Sequence, residues 1–268
     1  MNALPNTTLW SGRSAGPVRV ATRTGDALLV SAASPRRAAN EDAALVVERD
    51  DATLVAVADG MGGLENGAEA SRLTLERVAA QFAAAGASGR ALVDAVVAGL
   101  EEANARILDA RLGGGTTFAG VIVERDRATM LHVGDSEAFH LSSDGEVRGH
   151  TIPHSPVGRE LAAGRIAEEA ALVHAERHLL SQHVGMERIC IEEGPSRPLD
   201  AGDRLLVATD GLLDNLLREE IVARACRLDA DDAARLLFDG ARERMGSSRG
   251  QLGKPDDLTF VLHVPRGE

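Results

Sequence analysis

The sequence predicts an α+β layered fold, and three observations carry that expectation. Apolar runs such as residues 54–58 are too short for helices, rich in valine and bounded by turn residues, as strands covered on both faces are. Residues 118–124, 130–134 and 138–141 read as successive short strands separated by Arg125-Asp126 and Asp144-Gly145, the pattern of an antiparallel meander. Helical periodicity comes in blocks and does not alternate with the strands, which separates the chain from βαβ proteins.

Taken in order, residues 1–20 are expected to be a mobile N-terminus, and residues 21–268 one domain with no internal repeat and no dividing linker. Residues 27–33 and 43–47 are expected strands around an unusually charged loop, Ser34 to Asp42. Leu75, Val78, Ala79 and Phe82 recur at helical spacing as far as Gly86. A second helix is expected from a Ser88 cap, with Leu92, Val96, Leu100, Ala103 and Ile107 inward, ending before Gly113. From 150 to 185 the pattern breaks into short helical pieces rich in His, Glu and Arg, which reads as a surface flap. Strands are expected again at 188–192, 204–208 and 258–264, and a helix at about 231–245.

With 268 residues, 44% of them hydrophobic, the chain can bury a sizeable core. A formal net charge of -12 argues against a nucleic-acid or anionic-membrane binder, because both need a basic face. Cys190 and Cys226 lack CxxC spacing, so neither a disulfide framework nor a zinc knuckle is indicated. No apolar stretch approaches the roughly 18 residues of a membrane span and the start does not resemble a leader peptide, so a cytoplasmic protein is expected. Tyrosine is absent and aromatic residues make up 2%, which leaves no stacking platform for single strands or sugars.

The chemistry is concentrated where strands end. The run Leu54-Val55-Ala56-Val57-Ala58 delivers Asp59 into Gly60-Met61-Gly62-Gly63, whose glycines let the backbone turn and approach a ligand closely. Asp59 is then a hard oxygen donor, and the Gly60 carbonyl can be a second. One Asp-Gly pair is an ordinary turn. Here, however, Asp42, Asp135, Asp210 and Asp256 also stand beside apolar runs, and several carboxylates on one rim repel unless cations or protons intervene. Two ions roughly 3.5–4 Å apart would suit such a rim, and carboxylate ligands favour Mg2+ or Mn2+ over zinc. Arg37 can grip a phosphoryl group with its planar fork.

Arg37-Ala38-Ala39-Asn40-Glu41-Asp42, Asp59-Gly60-Met61-Gly62-Gly63, Gly115-Thr116-Thr117, Gly134-Asp135-Ser136, Asp210-Gly211-Leu212-Leu213-Asp214 and Asp256-Asp257-Leu258-Thr259 resemble, in order, the motifs of type 2C (PPM) metal-dependent Ser/Thr protein phosphatases, especially the compact bacterial ones. The resemblance spans about residues 37–264. It implies a four-layer α-β-β-α sandwich, two central antiparallel sheets flanked by helices, with a dimetal centre at one end. It also implies hydrolysis of phosphoserine and phosphothreonine by a water that two Mn2+ or Mg2+ ions activate, without a phosphoenzyme. By motif position Asp59 would bridge both ions, Gly60 would ligate through its carbonyl, and Asp210 and Asp256 would hold one ion. Glu41 and Asp42 would act through water, Arg37 would bind phosphate, and Asp135 would serve a third, weaker site. The catalytic group would be Arg37, Asp59 and Asp210.

The chain departs from the pattern at three places. Met61 stands where many eukaryotic members have a candidate general acid, His. Glu137 stands where the family usually has Arg, and Pro153 replaces the Asp expected before His154-Ser155. Partners implied are phosphoproteins of a Ser/Thr kinase in signal transduction, with the chain a monomer and neither nucleic acid nor membrane bound. Two other readings share the fold: a non-catalytic phosphoprotein-binding regulator, and a phosphatase dedicated to a sigma-factor or secretion regulator. A degenerate regulator should lose metal carboxylates, and this chain keeps them. Gly113-Gly114-Gly115 has no following Lys, so a phosphate loop is not expected, and the scattered histidines, including His150, His154, His174, His178 and His183, lack the short pairs of zinc sites.

Overall fold

The computed structural model describes residues 7–10, 16–37, 39–49, 52–62, 65–86, 89–227, 229–246 and 253–266. In chain order these form β1 (Thr7–Trp10), β2 (Val18–Ala21), β3 (Gly25–Ala32), β4 (Ala43–Arg49), β5 (Ala52–Ala58), β6 (Gly60–Met61), α1 (Glu65–Ala84), α2 (Arg90–Asp109), β7 (Gly115–Thr116), β8 (Phe118–Glu124), β9 (Arg127–Val133) and β10 (Glu137–Leu141). There follow β11 (Val147–His150), α3 (Pro156–Ala162), α4 (Glu168–Leu172), β12 (Glu192–Glu193), β13 (Arg197–Pro198), β14 (Arg204–Ala208), α5 (Asp210–Leu213), α6 (Arg218–Ala225), α7 (Ala230–Gly246) and β15 (Leu258–Pro265).

Two antiparallel sheets stack between helical layers. The first runs β1-β4-β5-β8-β9-β12, with β13 also on β9, and the second runs β11-β10-β14-β15-β3-β2. Strand alternation explains the layering. In β5, Leu54, Ala56 and Ala58 pack toward α1 and α2 with Leu75, Phe82 and Leu100, while Val55 and Val57 face the other sheet. In β14, Leu206 and Ala208 meet Leu237 of α7, while Leu205 and Val207 join Val55 between the sheets. Each central strand is thus apolar on both faces, which is why it reads as a continuous hydrophobic run. The inter-sheet layer also holds polar pairs: Ser31 and Thr259 hydroxyls lie 2.9 Å apart, and Thr24 Oγ1 donates to Thr53 Oγ1 at 2.7 Å.

The four-layer sandwich is therefore as expected, and several local features differ. Within the stretch expected to be mobile, β1 pairs with β4 and β2 with β3, because these short edge strands find open ladder positions on long central ones. The described residues at α2 put Gly89, with φ 61°, at the N-cap; Ser88 lies outside them, as do Ala38 and Gly63 of the motifs. The strand expected at 188–192 shrinks to β12, since the Cys190 amide donates instead to the Gln182 side chain at 2.9 Å. Helix α6 carries no hydroxyl cap to announce it; the Glu220 carboxylate accepts from the Leu217 amide at 2.9 Å instead. In the flap, Ser155 caps α3 by accepting from the Gly158 amide at 2.9 Å. No described helix is long and apolar enough to cross a membrane.

Candidate metal centre

Strand pairing brings the acidic residues together. Ala43 pairs with Ala58, so Asp42, just before β4, and Asp59, just after β5, flank one end of the first sheet. Ala208 pairs with Phe260, so Thr209-Asp210 after β14 and Asp256-Asp257 before β15 share one end of the second. Thr209 Oγ1 donates to Asp42 Oδ2 at 2.9 Å and joins the two ends. Asp135 sits in the β9–β10 turn, within electrostatic reach of Asp59 and Asp210.

Local hydrogen bonds fix this rim. The Asp59 amide donates to Thr117 Oγ1 at 3.0 Å, while the Thr117 amide and Thr116 Oγ1 donate to the Asp59 carbonyl at 2.9 and 2.8 Å. Asp257 braces the backbone around the rim, since its carboxylate accepts from the Ser34 amide at 2.7 Å and the Glu41 amide at 2.9 Å. Gly60 is required where it stands, because a Cβ there would lie 2.3 Å from the Gly67 carbonyl oxygen and 2.5 Å from that of Glu41. A Cβ on Gly67 would in turn meet Glu41 Oε1 at 2.5 Å.

The electrostatics are those of crowded carboxylates. Burial, then the charges of Asp257 and Asp210, hold Asp42 well above the usual carboxylate range. Burial also raises Asp59, with Asp42, Asp210, Asp256 and Asp135 adding to the effect. Asp135 is raised by burial, Asp210 and Asp214. Asp256 is raised by burial and Asp210 against the pull of Lys254 and Arg37, and Glu41 by burial against Arg37. Among the described residues the buried oxygens Glu41 Oε1, Asp42 Oδ1 and Asp210 Oδ1 have no hydrogen-bond partner. Buried, unpartnered, hard and negative, these oxygens fit divalent cations such as Mn2+ or Mg2+.

Arg37 is not free of this cluster. Its Nη1 donates to Glu41 Oε2 at 2.6 Å and its Nη2 to Asp256 Oδ1, with 38% of the side chain still exposed. The sequence pattern points Arg37 at substrate and carries no sign of these bonds.

A profile of the protein phosphatase 2C family matches residues 33–235. The chain belongs to that family. It is 30% identical over 217 residues to a putative protein phosphatase 2C-type of Streptococcus pyogenes, a match covering 78% of this chain and 85% of that one. It is 32% identical to the serine/threonine protein phosphatase PstP of Mycobacterium tuberculosis but spans only 42% of that protein's length. A solved structure of the PstP catalytic domain in complex with 2 manganese ions matches with a TM-score of 0.70 at 28% identity, covering 90% of this chain and 98% of that one. The S. agalactiae serine/threonine phosphatase matches with a TM-score of 0.77 at 28% identity, covering 90% and 99%.

Two residues of the rim escaped the sequence reading as participants. Asp214 lies four residues after Asp210, one helical turn on, and burial and Asp210 raise its carboxyl to about 6. That spacing was the available signal. The Lys254 ammonium sits among Asp210, Asp214 and Asp256; a lone lysine two residues before Asp256 gave no such signal.

The histidines also converge more than their spacing suggested. Ligand atoms of His132, His154 and Glu192 lie within 4.8 Å of one another. Their hydrogen bonds nevertheless show a structural cluster. The Gly134 amide donates to His154 Nδ1 at 3.1 Å, which leaves the proton on Nε2, facing Glu192 Oε1 at 3.2 Å. His132 Nε2 lies 2.8 Å from the Ile152 carbonyl, which can only accept, so it too carries a proton. The cluster fastens the flap to Gly134, next to Asp135, and these two nitrogens offer a metal no lone pair.

Proposed function

We infer that this family member hydrolyses phosphoserine and phosphothreonine in proteins, and that Asp59, the Gly60 carbonyl, Asp210 and Asp256 hold two divalent ions. The carboxylates of Asp42, Asp59, Asp135, Asp210 and Asp256, drawn from both sheets to one rim where Asp42 Oδ1 and Asp210 Oδ1 are buried and unpaired, carry the reading. Two manganese ions in the PstP catalytic domain support Mn2+ as the metal, with Mg2+ the alternative. When bound, the ions supply Lewis acidity that activates water and offsets charge on the phosphoryl oxygens.

The chain's own groups do the positioning. Thr116 and Thr117 fix the Asp59 backbone, and Thr209 orients Asp42. Glu41 and Asp42 stand behind the ligands as acceptors for water. Arg37, steadied by Glu41 and Asp256, presents its exposed edge to the phosphoryl group. Asp135 would serve a third, weaker site. Met61 cannot protonate a leaving group, so that proton comes from outside this position.

We read residues 21–268 as one phosphatase domain, with the segment 150–185 as its flap, working as a cytoplasmic monomer in signal transduction on phosphoproteins made by a Ser/Thr kinase. Release of phosphate from a phosphoserine and a phosphothreonine peptide, with manganese or magnesium and then with excess chelator, tests the activity. Turnover that persists in chelator would overturn the metal assignment, and none with either metal would overturn the enzyme.

A further inference from the structure

Glu137 is a buried carboxylate that the metal centre does not use. It opens β10 opposite Ala208, the residue two before Asp210, and follows Asp135, in the turn before the strand, by two; the two line the same cleft. Glu137 is 8% exposed, and its Oε2 has no hydrogen-bond partner. The residue lines a cleft between the second sheet and the flap, which Asp135, Asp210 and Asp214 also line. Val157, Leu161, Leu172 and Leu213 supply apolar lining, Glu168 a further carboxylate, and Arg177 and Arg218 two guanidinium groups.

None of the cationic groups in or beside the cleft pairs with Glu137. His150 Nδ1, 3.5 Å from Glu137 Oε2, lies 2.7 Å from the Thr151 carbonyl and must give its proton there. Arg218 reaches His150 Nε2 at 3.3 Å with its guanidinium over the Phe139 ring, and Arg177 Nη1 donates to the Leu172 carbonyl. Among the described residues no Lys or Arg forms an ion pair with Glu137. A buried carboxylate without a cationic partner is costly, and a cleft that combines apolar lining with more carboxylates than arginines suits a long aliphatic stem with a positive tip.

We propose that this cleft takes a lysine or arginine side chain of the phosphoprotein, close in sequence to the phosphorylated residue, and that Glu137 is the specificity-determining group that receives its cation. The proposal rests on the phosphatase reading, since the phosphoryl group must sit at the neighbouring carboxylate rim for the basic side chain to reach the cleft.

The test compares phosphothreonine peptides with one lysine placed from three residues before to three after the phosphorylated one, each paired with a norleucine analogue that keeps the stem and lacks the charge. Specificity constants are read as the lysine-to-norleucine ratio within each enzyme, in saturating manganese. For the native enzyme the best position should give a ratio of about tenfold, as a charge-assisted contact would. Glu137→Gln should bring that ratio near one and Glu137→Arg below one; ratios cancel any general change in rate. Hydrolysis of all the peptide pairs by the native enzyme with ratios near one at every position would overturn this inference and leave the phosphatase reading standing. A tenfold ratio that survives Glu137→Gln would assign the contact elsewhere and overturn it too. Hydrolysis of none of the peptides would overturn both.

Discussion

The Lys254 ammonium lies 3.2 Å from Asp214 Oδ2, and at the same distance from Asp256 Oδ2, with Asp210 as a third contact. Burial works to lower its pKa, but the three carboxylates outweigh burial and hold it above the ordinary lysine value. Lys254 thus joins Arg37 in offsetting a rim that is otherwise negative. Lys254→Met should lower the melting temperature in chelator, by about 2–4 °C for each kcal/mol of countercharge lost in a chain of this size. Manganese should then raise the variant's melting temperature by more than it raises the native one. An equal rise in both would show that Lys254 does not compete for the cation position.

Asp210 presents one oxygen to Lys254 and keeps the other unpaired in a buried place. Asp210→Asn, like Asp59→Asn, should abolish turnover of a phosphopeptide while circular dichroism shows the native fold, because a carboxylate lost from a dimetal site weakens ion binding and water activation together. Near-native manganese-dependent rates in a folded Asp210→Asn protein would remove this residue from the centre.

Arg37→Ala should lower the specificity constant for a phosphopeptide by about two powers of ten, the usual consequence of losing a bidentate guanidinium contact. The bonds to Glu41 and Asp256 add a second expectation: manganese affinity, measured by calorimetry, should not fall, because the deletion frees two carboxylates of a competing cation. Unchanged kinetics would shift the phosphate contact to another residue, and Arg36 is the first to examine.

The layered fold and the acidic rim were legible because each depends on a local pattern. Central strands announce themselves as valine-rich runs, and a carboxylate at a strand end needs only the sequence to be found. The Lys254 contacts, the fork of Arg37 onto Glu41 and Asp256, and the His132-His154-Glu192 cluster depend on side chains brought together from distant segments, which spacing cannot report. Helix α6 was hidden for a different reason, since a leucine at its cap offers no polar signal. The edge strands β1 and β2 exist only because long partners lie beside them.

His263, fully buried between the sheets, has its pKa lowered to about 4 by burial, so the fold holds it neutral. An unfolded histidine titrates near 6.5, and protons therefore bind the unfolded chain first as pH falls. The stability this group contributes is full above about pH 6.5 and is lost as the pH drops toward 4. Between pH 7.5 and 5 the loss should be about 2 kcal/mol. Urea unfolding at the two pH values should show that the His263→Gln protein loses less stability than the native one by about that amount. The same pH slope in both would place the titration elsewhere.

The hydrogen bond from Thr209 to Asp42 crosses a seam, for Asp42 and Asp59 belong to one sheet and Asp210 and Asp256 to the other. The spacing of the rim is therefore a gauge of how the two sheets rest on each other. Val55, Val57, Val207 and Val261, packed between them, act as shims that set that gauge from within. Slimming or thickening a shim lets one sheet slide on the other, as packed layers do. Activity in this fold can accordingly be tuned by residues that never meet substrate, through the thickness of the layer between its halves.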